Sequence, residues 1–250
     1  MPNIVILTGA GISAESGLQT FRASDGLWEG HRVEDVATPE AFIRNPDMVN
    51  EFYNMRRRQL REVQPNAAHH ALAHLAQNWD GDFLLVTQNV DDLHDRAFLT
   101  RVTGEGDQAK LGGGGKSAPY LLYMHGELLK ARCTNTGEVI EWHEDILPST
   151  ISPFDKSVGL RPHIVWFGEM PLEMTRIYKA LEKCDIFVSI GTSGNVYPAA
   201  GFVAECRNKR TIELNLEPTK GTSMFKESRL GKATEIVPKF VEELLASLNS

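Results

Sequence analysis

The residues able to do chemistry stand at short polar breaks that end apolar runs. Thr87-Gln88-Asn89-Val90-Asp91-Asp92-Leu93-His94 follows directly on the apolar run Phe83–Val86. Its amide and carboxyl groups therefore sit at the carboxyl end of a strand, the edge where open α/β sheets hold ligands. Asp92 alone reads as a helix-capping residue; Gln88, Asn89 and Asp91 together read as ligand contacts. His125 ends the apolar approach Tyr123-Met124 and precedes Gly126. An imidazole with a pKa of about 6.5 is the natural general base at neutral pH, yet the position alone does not separate this histidine from a core one. Gly9-Ala10-Gly11 closes the run Ile4–Leu7 and would let backbone N–H groups approach a pyrophosphate. A tight strand-to-helix turn also needs glycine for steric reasons alone. Ala14–Arg22 is rich in polar and small residues where a dehydrogenase fingerprint would continue into an amphipathic helix. Tyr53 and Arg56 share one helix side by their i, i+3 spacing, and a phenol beside a guanidinium can bind a carboxylate. Taken alone, Arg56-Arg57-Arg58 reads as a solvated helix face. Gly191-Thr192-Ser193 and Asn215-Leu216-Glu217 end two further apolar runs. Several such sites at strand ends imply a long, extended ligand.

The elements that must position these groups alternate. Strand-like runs lie at Ile4–Leu7, Phe83–Thr87, Ile164–Phe167, Ile186–Ile190, Thr211–Leu214 and Glu235–Val237, continuous as expected of a parallel sheet buried on both faces. Helical patterns fall between them over Pro39–Arg61, Ala67–Gln77, Met174–Lys183, Ala199–Asn208 and Pro238–Leu248. The alternation predicts an α/β fold, a doubly wound parallel sheet of Rossmann-like kind. Phe98–Leu121, with its run Gly112–Gly115, predicts a surface loop. Cys133–Arg161 predicts a small inserted module. The expected division is one catalytic unit over 1–250, with a large domain from about 1–30, 66–122 and 162–250, a helical segment over about 31–65 and the module over about 123–161.

Composition limits the possible functions. The 250 residues carry 26 Lys and Arg against 33 Asp and Glu, a formal net charge of −7, so a whole-surface nucleic-acid binder is not expected. At 42% hydrophobic and 24% charged residues the chain has material for a sizeable core. No window approaches the roughly 20 apolar residues of a membrane span. Cys133, Cys184 and Cys206 are too few and too scattered for a disulfide framework, which predicts a reducing compartment.

Taken together, seven ordered blocks resemble the sirtuin family of NAD-dependent protein deacylases over nearly the whole chain. They are Gly9–Ser13, Gly17–Arg22, Thr87–Asp91, His125-Gly126, Val165–Glu169, Gly191–Ser193 and Asn215. Ala37, Tyr53 and Arg56 further match the branch that resembles bacterial sirtuins and the mammalian desuccinylase. The resemblance implies that Gly9, Ala10 and Gly11 face the NAD phosphates, and that Phe21, Arg22 and Trp28 belong to the cofactor-binding set. Gln88, Asn89 and Asp91 would hold nicotinamide and its ribose; Gly191, Thr192, Ser193, Asn215 and Glu217 would contact the adenosine half. His125 would be the general base, with Asn89 and Asp91 counted beside it as catalytic. Val165, Phe167, Gly168 and Glu169 would border an acyl-lysine peptide added as a strand, and Ala37, Tyr53 and Arg56 would receive an acidic acyl group.

The activity so implied removes succinyl, malonyl or glutaryl groups, and acetyl as a further substrate, from lysine. The acyl oxygen attacks the ribose C1′, nicotinamide leaves, and an alkylimidate forms. His125 activates a ribose hydroxyl, and water completes release of free lysine and O-acyl-ADP-ribose. NAD is consumed as co-substrate. The partners would be acyl-lysine proteins or peptides, with no nucleic acid and no membrane, in the cytoplasm or the mitochondrial matrix. Mono-ADP-ribosyl transfer and non-catalytic NAD sensing are the alternatives. One departure stands out: sirtuins usually carry two cysteine pairs on zinc, whereas this module has Cys133 alone and reads Ser149–Pro153 at the second pair's place. A four-cysteine site is excluded by count. Cys133 with His143 and Glu141 or Glu144 would be a poor zinc site, so a metal-free module held by packing is expected.

Overall fold

The computed structural model describes residues 2–19, 27, 28, 30–102 and 120–247, and the backbone alone of Leu27, Trp28, Arg101 and Val102. Five continuous or near-continuous apolar runs and one polar run build a six-stranded parallel sheet. Its strands are β1 (Ile4–Thr8), β4 (Phe83–Thr87), β5 (Leu121–Tyr123), β9 (Ile186–Ile190), β10 (Arg210–Asn215) and β11 (Glu227–Leu230). The spatial order is β11-β10-β9-β1-β4-β5. Renumbered within the sheet this is 3-2-1-4-5-6, the doubly wound order, whose switch point falls between β1 and β9. There the register aligns Thr8 with Ile190 on one side and with Thr87 on the other.

Successive side chains of β1 serve opposite faces, as a period of two requires. Ile4 and Ile6 join Leu72, Leu75, Phe240 and Val241, carried by α4 (Ala67–Asn78) and α8 (Ala233–Ala246). Val5 and Leu7 join Ile177, Leu181, Phe202 and Val203, carried by α6 (Met174–Lys183) and α7 (Phe202–Glu205). A third cluster packs α1 (Val33–Val36), α2 (Pro39–Arg44) and α3 (Pro46–Gln59) on Leu128, Ile164 and Trp166. A two-residue pair, β2 (Leu27–Trp28) with β3 (His31–Arg32), precedes α1. The small module is an antiparallel sheet in the order β7-β6-β8, made of β6 (Gly126–Cys133), β7 (Val139–Glu141) and β8 (Leu160–Ile164).

Several expectations are corrected. Ile164 ends β8 of the module's sheet and contributes nothing to the parallel one. Glu235–Val237 is helical: Val237, Phe240, Val241 and Leu244 are buried at helical spacing, so the period of α8 runs back through the apolar triplet. The sheet's last strand is β11, a half-buried edge strand with no apolar run to announce it. Pro39–Arg61 is two helices, because Asn45 caps the Met48 N–H and Pro46, without an N–H of its own, begins a new first turn. Ala199–Asn208 reduces to a 3-10 turn and the single turn of α7. Phe98–Val102 completes α5 (Leu93–Val102), not a loop, while the glycine run that follows lies outside the described residues. Cys184 and Cys206, far apart in sequence, meet behind β9 as free buried thiols with their Sγ atoms 3.6 Å apart.

Candidate active site

Two glycine turns interlock at the switch point. The Gly9 N–H donates to the Ile190 carbonyl at 3.0 Å and the Gly11 N–H to the Gly191 carbonyl at 2.8 Å. A Cβ on Gly11 would lie 2.7 Å from the Gly191 Cα, and one on Gly9 would lie 2.8 Å from its carbonyl oxygen, so neither turn tolerates a side chain. Gly191 itself holds φ +63°, in the left-handed region. The chain leaves this crossing as two short 3-10 turns, Ala10–Ile12 and Ala14–Ser16. Above them opens a cavity of ≈ 910 Å³ along the carboxyl ends of β1, β4, β9 and β10. That volume is of the size that holds a dinucleotide-scale ligand.

Gly9, Ala10, Gly11, Gln88, Asn89, Asp91, His125, Gly191, Thr192, Ser193, Asn215 and Glu217 all line this one cavity, together with Ala37, Tyr53, Arg56, Val165, Phe167, Gly168 and Glu169. Phe21 and Arg22 lie outside the described residues, and Trp28 is described only by its backbone pairing with His31. The set of amides, hydroxyls and backbone donors along the floor fits a dinucleotide. Asn215 Nδ2 donates to the Thr192 carbonyl at 2.9 Å, which ties the ends of β9 and β10 together.

A polar layer at the cavity floor centres on Ser13, which sequence reading did not single out. Its hydroxyl donates to Asp91 Oδ2 at 3.0 Å and accepts from Asn89 Nδ2 at 3.0 Å. The Asn66 backbone N–H donates to His69 Nδ1, so His69 Nε2 bears the proton and turns it toward Ser13 Oγ at 3.4 Å. Asn89 and Asp91 are thus oriented from below by one saturated hydroxyl. Burial raises the Asp91 carboxyl to about 6, against the Leu93 N–H and the Ser13 hydroxyl, which favour its anion. Burial also holds His69 and His94 well below an ordinary histidine, so both stay neutral. His125 is half-buried, with Nδ1 3.1 Å from the Gln88 carbonyl. A carbonyl only accepts, so Nδ1 carries the proton and Nε2 keeps a lone pair. Burial lowers the His125 pKa, against the Gln88 bond, which raises it.

The other end of the cavity is built by α3 and the segment after β8. That segment is held at three backbone points: the Val165 N–H donates to the His125 carbonyl at 2.9 Å, Phe167 to Ala37 at 3.0 Å, and Trp166 to Glu169 Oε2 at 2.8 Å. Gly168, at φ +91°, makes the bend that returns Glu169 to Trp166. On α3 the three consecutive arginines have three destinations, which corrects the solvated-face reading. Arg56 is 6% exposed on the cavity wall, and Arg57 is 1% exposed and does not line it, with Nε donating to the Leu128 carbonyl at 2.8 Å. Arg58 alone stands on the surface, paired with Asp145 and Glu51. Burial pushes the Arg57 guanidinium down to about 10. Tyr53 is fully buried beside Arg56, and its phenol is raised by burial.

Cys133 lies outside the cavity, buried with Ala131, Ile146 and Leu160. Glu141 is turned to Lys130 at 3.6 Å and Glu144 to Arg61 at 3.8 Å. Among the described residues no three His, Cys, Asp or Glu side chains gather for a metal. One thiol in an apolar cluster, with its candidate carboxylates facing cations, does not fit a structural zinc.

Comparison with known proteins agrees along the chain. Residues 9–198 match the Sir2 family. The sequence is 55% identical over 253 residues to the NAD-dependent protein deacylase of Vibrio vulnificus (strain YJ016), covering 99% of this chain and 96% of that one. It is 53% identical over 259 residues to the NAD-dependent protein deacylase of Escherichia coli (strain K12), covering 100% and 84%. The fold superposes on the crystal structure of a Sir2 homolog–NAD complex with a TM-score of 0.81 at 35% identity, covering 99% of this chain and 91% of that chain. Agreement over such length and at such identity leaves one assignment: the chain belongs to the Sir2 family of NAD-dependent protein deacylases, with bacterial relatives.

Proposed function

We propose that this deacylase removes succinyl, malonyl and glutaryl groups from lysine in proteins or peptides, with acetyl-lysine a poorer substrate. The observation that carries the reading is the placement of Tyr53 and Arg56, adjacent and buried on α3, in the same cavity wall as Ala37 and in the same cavity as His125. A guanidinium in a low-dielectric wall strongly favours an anion, and it takes a carboxylate in a planar two-point grip that an acetyl group has nothing to meet.

Bound NAD supplies an electrophilic ribose carbon and nicotinamide as the departing group. In this reading the turn at Gly9–Gly11, which bears no side chain at either glycine, lets the phosphates approach the backbone closely, while its Gly9 and Gly11 N–H groups hold the crossing to Ile190 and Gly191 together. Thr192, Ser193, Asn215 and Glu217 take the adenosine half, with Phe21, Arg22 and Trp28 assigned to the same cofactor. Gln88, Asn89 and Asp91 hold the nicotinamide ribose. His125, with its proton fixed on Nδ1 by the Gln88 carbonyl, offers Nε2 to a ribose hydroxyl and takes its proton. Val165, Phe167, Gly168 and Glu169 take the peptide backbone, at a segment whose edge is already shaped by its bonds to His125 and Ala37. The retained base favours catalysis over NAD sensing.

The test compares matched succinyl-lysine and acetyl-lysine peptides by mass spectrometry, following nicotinamide and O-acyl-ADP-ribose. Arg56→Met should cost succinyl turnover on the order of 10- to 100-fold in kcat/KM, the worth of a charge-assisted hydrogen bond, and cost acetyl turnover far less. Equal losses on both peptides would remove Arg56 from acyl recognition.

A further inference from the structure

The wall behind the proposed acyl pocket holds a hydrogen bond with only one possible direction. Trp166 Nε1 lies 3.0 Å from Tyr53 Oη, and both side chains are buried, at 2% and 0% exposure. An indole nitrogen donates and never accepts, so the phenol oxygen is the acceptor here. A tyrosine hydroxyl has one proton. With one of its acceptor directions fixed toward Trp166, that proton must point away from the indole.

The indole is itself clamped. The Arg161 Cζ stands 3.4 Å from the centre of the Trp166 ring, and Arg161 grips Glu169 through Nη1–Oε1 at 2.7 Å and Nη2–Oε2 at 3.0 Å. Glu169 Oε2 also takes the Trp166 backbone N–H. The Phe42 ring packs at 5.2 Å between centroids. A ring held by a stacked guanidinium, a bound backbone and an aromatic neighbour cannot swing its N–H to another acceptor without breaking several contacts.

We propose that Trp166 is a positioning residue for acyl specificity: by donating to Tyr53 Oη it turns the phenol proton outward, as a donor toward the substrate's acyl carboxylate beside Arg56. Tyr53 then offers that carboxylate a hydrogen-bond donor and not a lone pair. The inference rests on the acidic-acyl reading above and names the residue that orients its phenol. Trp166 acts through Tyr53 and does not touch the reacting atoms.

The experiment is a double-mutant cycle with Trp166→Phe, Tyr53→Phe and both together, read as the ratio of succinyl to acetyl kcat/KM and as succinyl-peptide Kd by calorimetry. Trp166→Phe should lower the ratio about 3- to 10-fold, the worth of one neutral hydrogen bond. The loss should appear in the succinyl KM and Kd more than in kcat. In the Tyr53→Phe background it should leave the ratio where it was. Equal loss on both peptides, or an equal further loss of ratio in that background, would overturn the proposal. Should Trp166→Phe not fold, a benzothienylalanine placed at 166 keeps the bicyclic ring and removes only the N–H, and the same outcomes decide. A wild-type enzyme that prefers acetyl-lysine would instead overturn the acidic-acyl reading, and this inference with it.

Discussion

Replacing Asp91 by Asn tests whether the cavity floor is held at a cost to the fold. Burial raises the Asp91 carboxyl from 3.8 to about 6 in the folded protein, whereas an unfolded chain titrates it near 3.9. Between those values the folded state holds a proton that the unfolded state has lost. The sign follows from linkage: the favourable contribution is complete below about pH 4 and is lost as pH rises through about 6. At 1.36 kcal/mol for each unit of pKa, the loss is about 3 kcal/mol by pH 7. An asparagine does not titrate. Its carboxamide accepts from either the Ser13 hydroxyl or the Leu93 N–H and sets its NH2 against the other, a penalty that does not depend on pH. The unfolding free energy of Asp91→Asn minus that of the wild type should therefore climb by about 2 kcal/mol from pH 4 to pH 7, since the unfolded carboxyl is already about half ionised at pH 4 and groups unaffected by the substitution cancel in the difference. Urea unfolding at pH 4, 5, 6 and 7 measures it. A flat difference would refute the reasoning, and a falling one would reverse it. Turnover should be lost in the variant at pH 7, the usual exchange of stability for a charged active site.

The acid limb of kcat/KM should fall below pH 6.5, because burial disfavours the His125 imidazolium and the base stays neutral into mildly acidic buffer; His125→Ala should abolish turnover while circular dichroism stays native, and retained deacylation would remove His125 from its role. Chelator treatment should leave both Tm and turnover in place, since Cys133 packs with Ile146 and Leu160 and not beside other ligands. Cys133→Ala should cost on the order of 1 kcal/mol as a small core cavity. One zinc per chain by mass spectrometry of metals, with a fall in Tm on chelation, would contradict this.

The parallel sheet was legible where strands are buried on both faces, because Ile4–Leu7, Phe83–Thr87 and Ile186–Ile190 then carry apolar residues without alternation. The same signal misled at Ile164–Phe167, since an apolar run reports burial and does not say against which sheet. It failed at β11, an edge strand whose half-buried side chains alternate with exposed ones. The residues that line the cavity were readable as polar groups at strand ends, and His125 gained its place only beside the other blocks. Ser13 and Trp166 stand inside matched blocks, but what they do there, like the part of His69, was not readable. Their roles come from partners 78, 56 and 113 positions away, and no local spacing reports such pairs.

Arg57 shows a tie between the module and the site that is made by side chains alone. On α3 Tyr53 and Arg56 line the cavity, while Asn54 and Arg57 on the adjacent flank bond the small module. Asn54 donates to the Ile146 carbonyl at 3.0 Å and accepts the Ile146 N–H at 2.8 Å, while Arg57 bonds both Leu128 and Asn54 Oδ1. These groups are buried, so each bond that broke would leave a desolvated polar atom costing about 1–3 kcal/mol. The helix is thereby fixed to β6 and to the loop before β8 by several directional bonds. A zinc tetrad fixes such a module by closing its ends on one ion; the helix that bears Tyr53 and Arg56 ties it from the side. Rigid placement of Tyr53 and Arg56 then depends on the packing of the module itself, around Ala131, Cys133, Ile146 and Leu160.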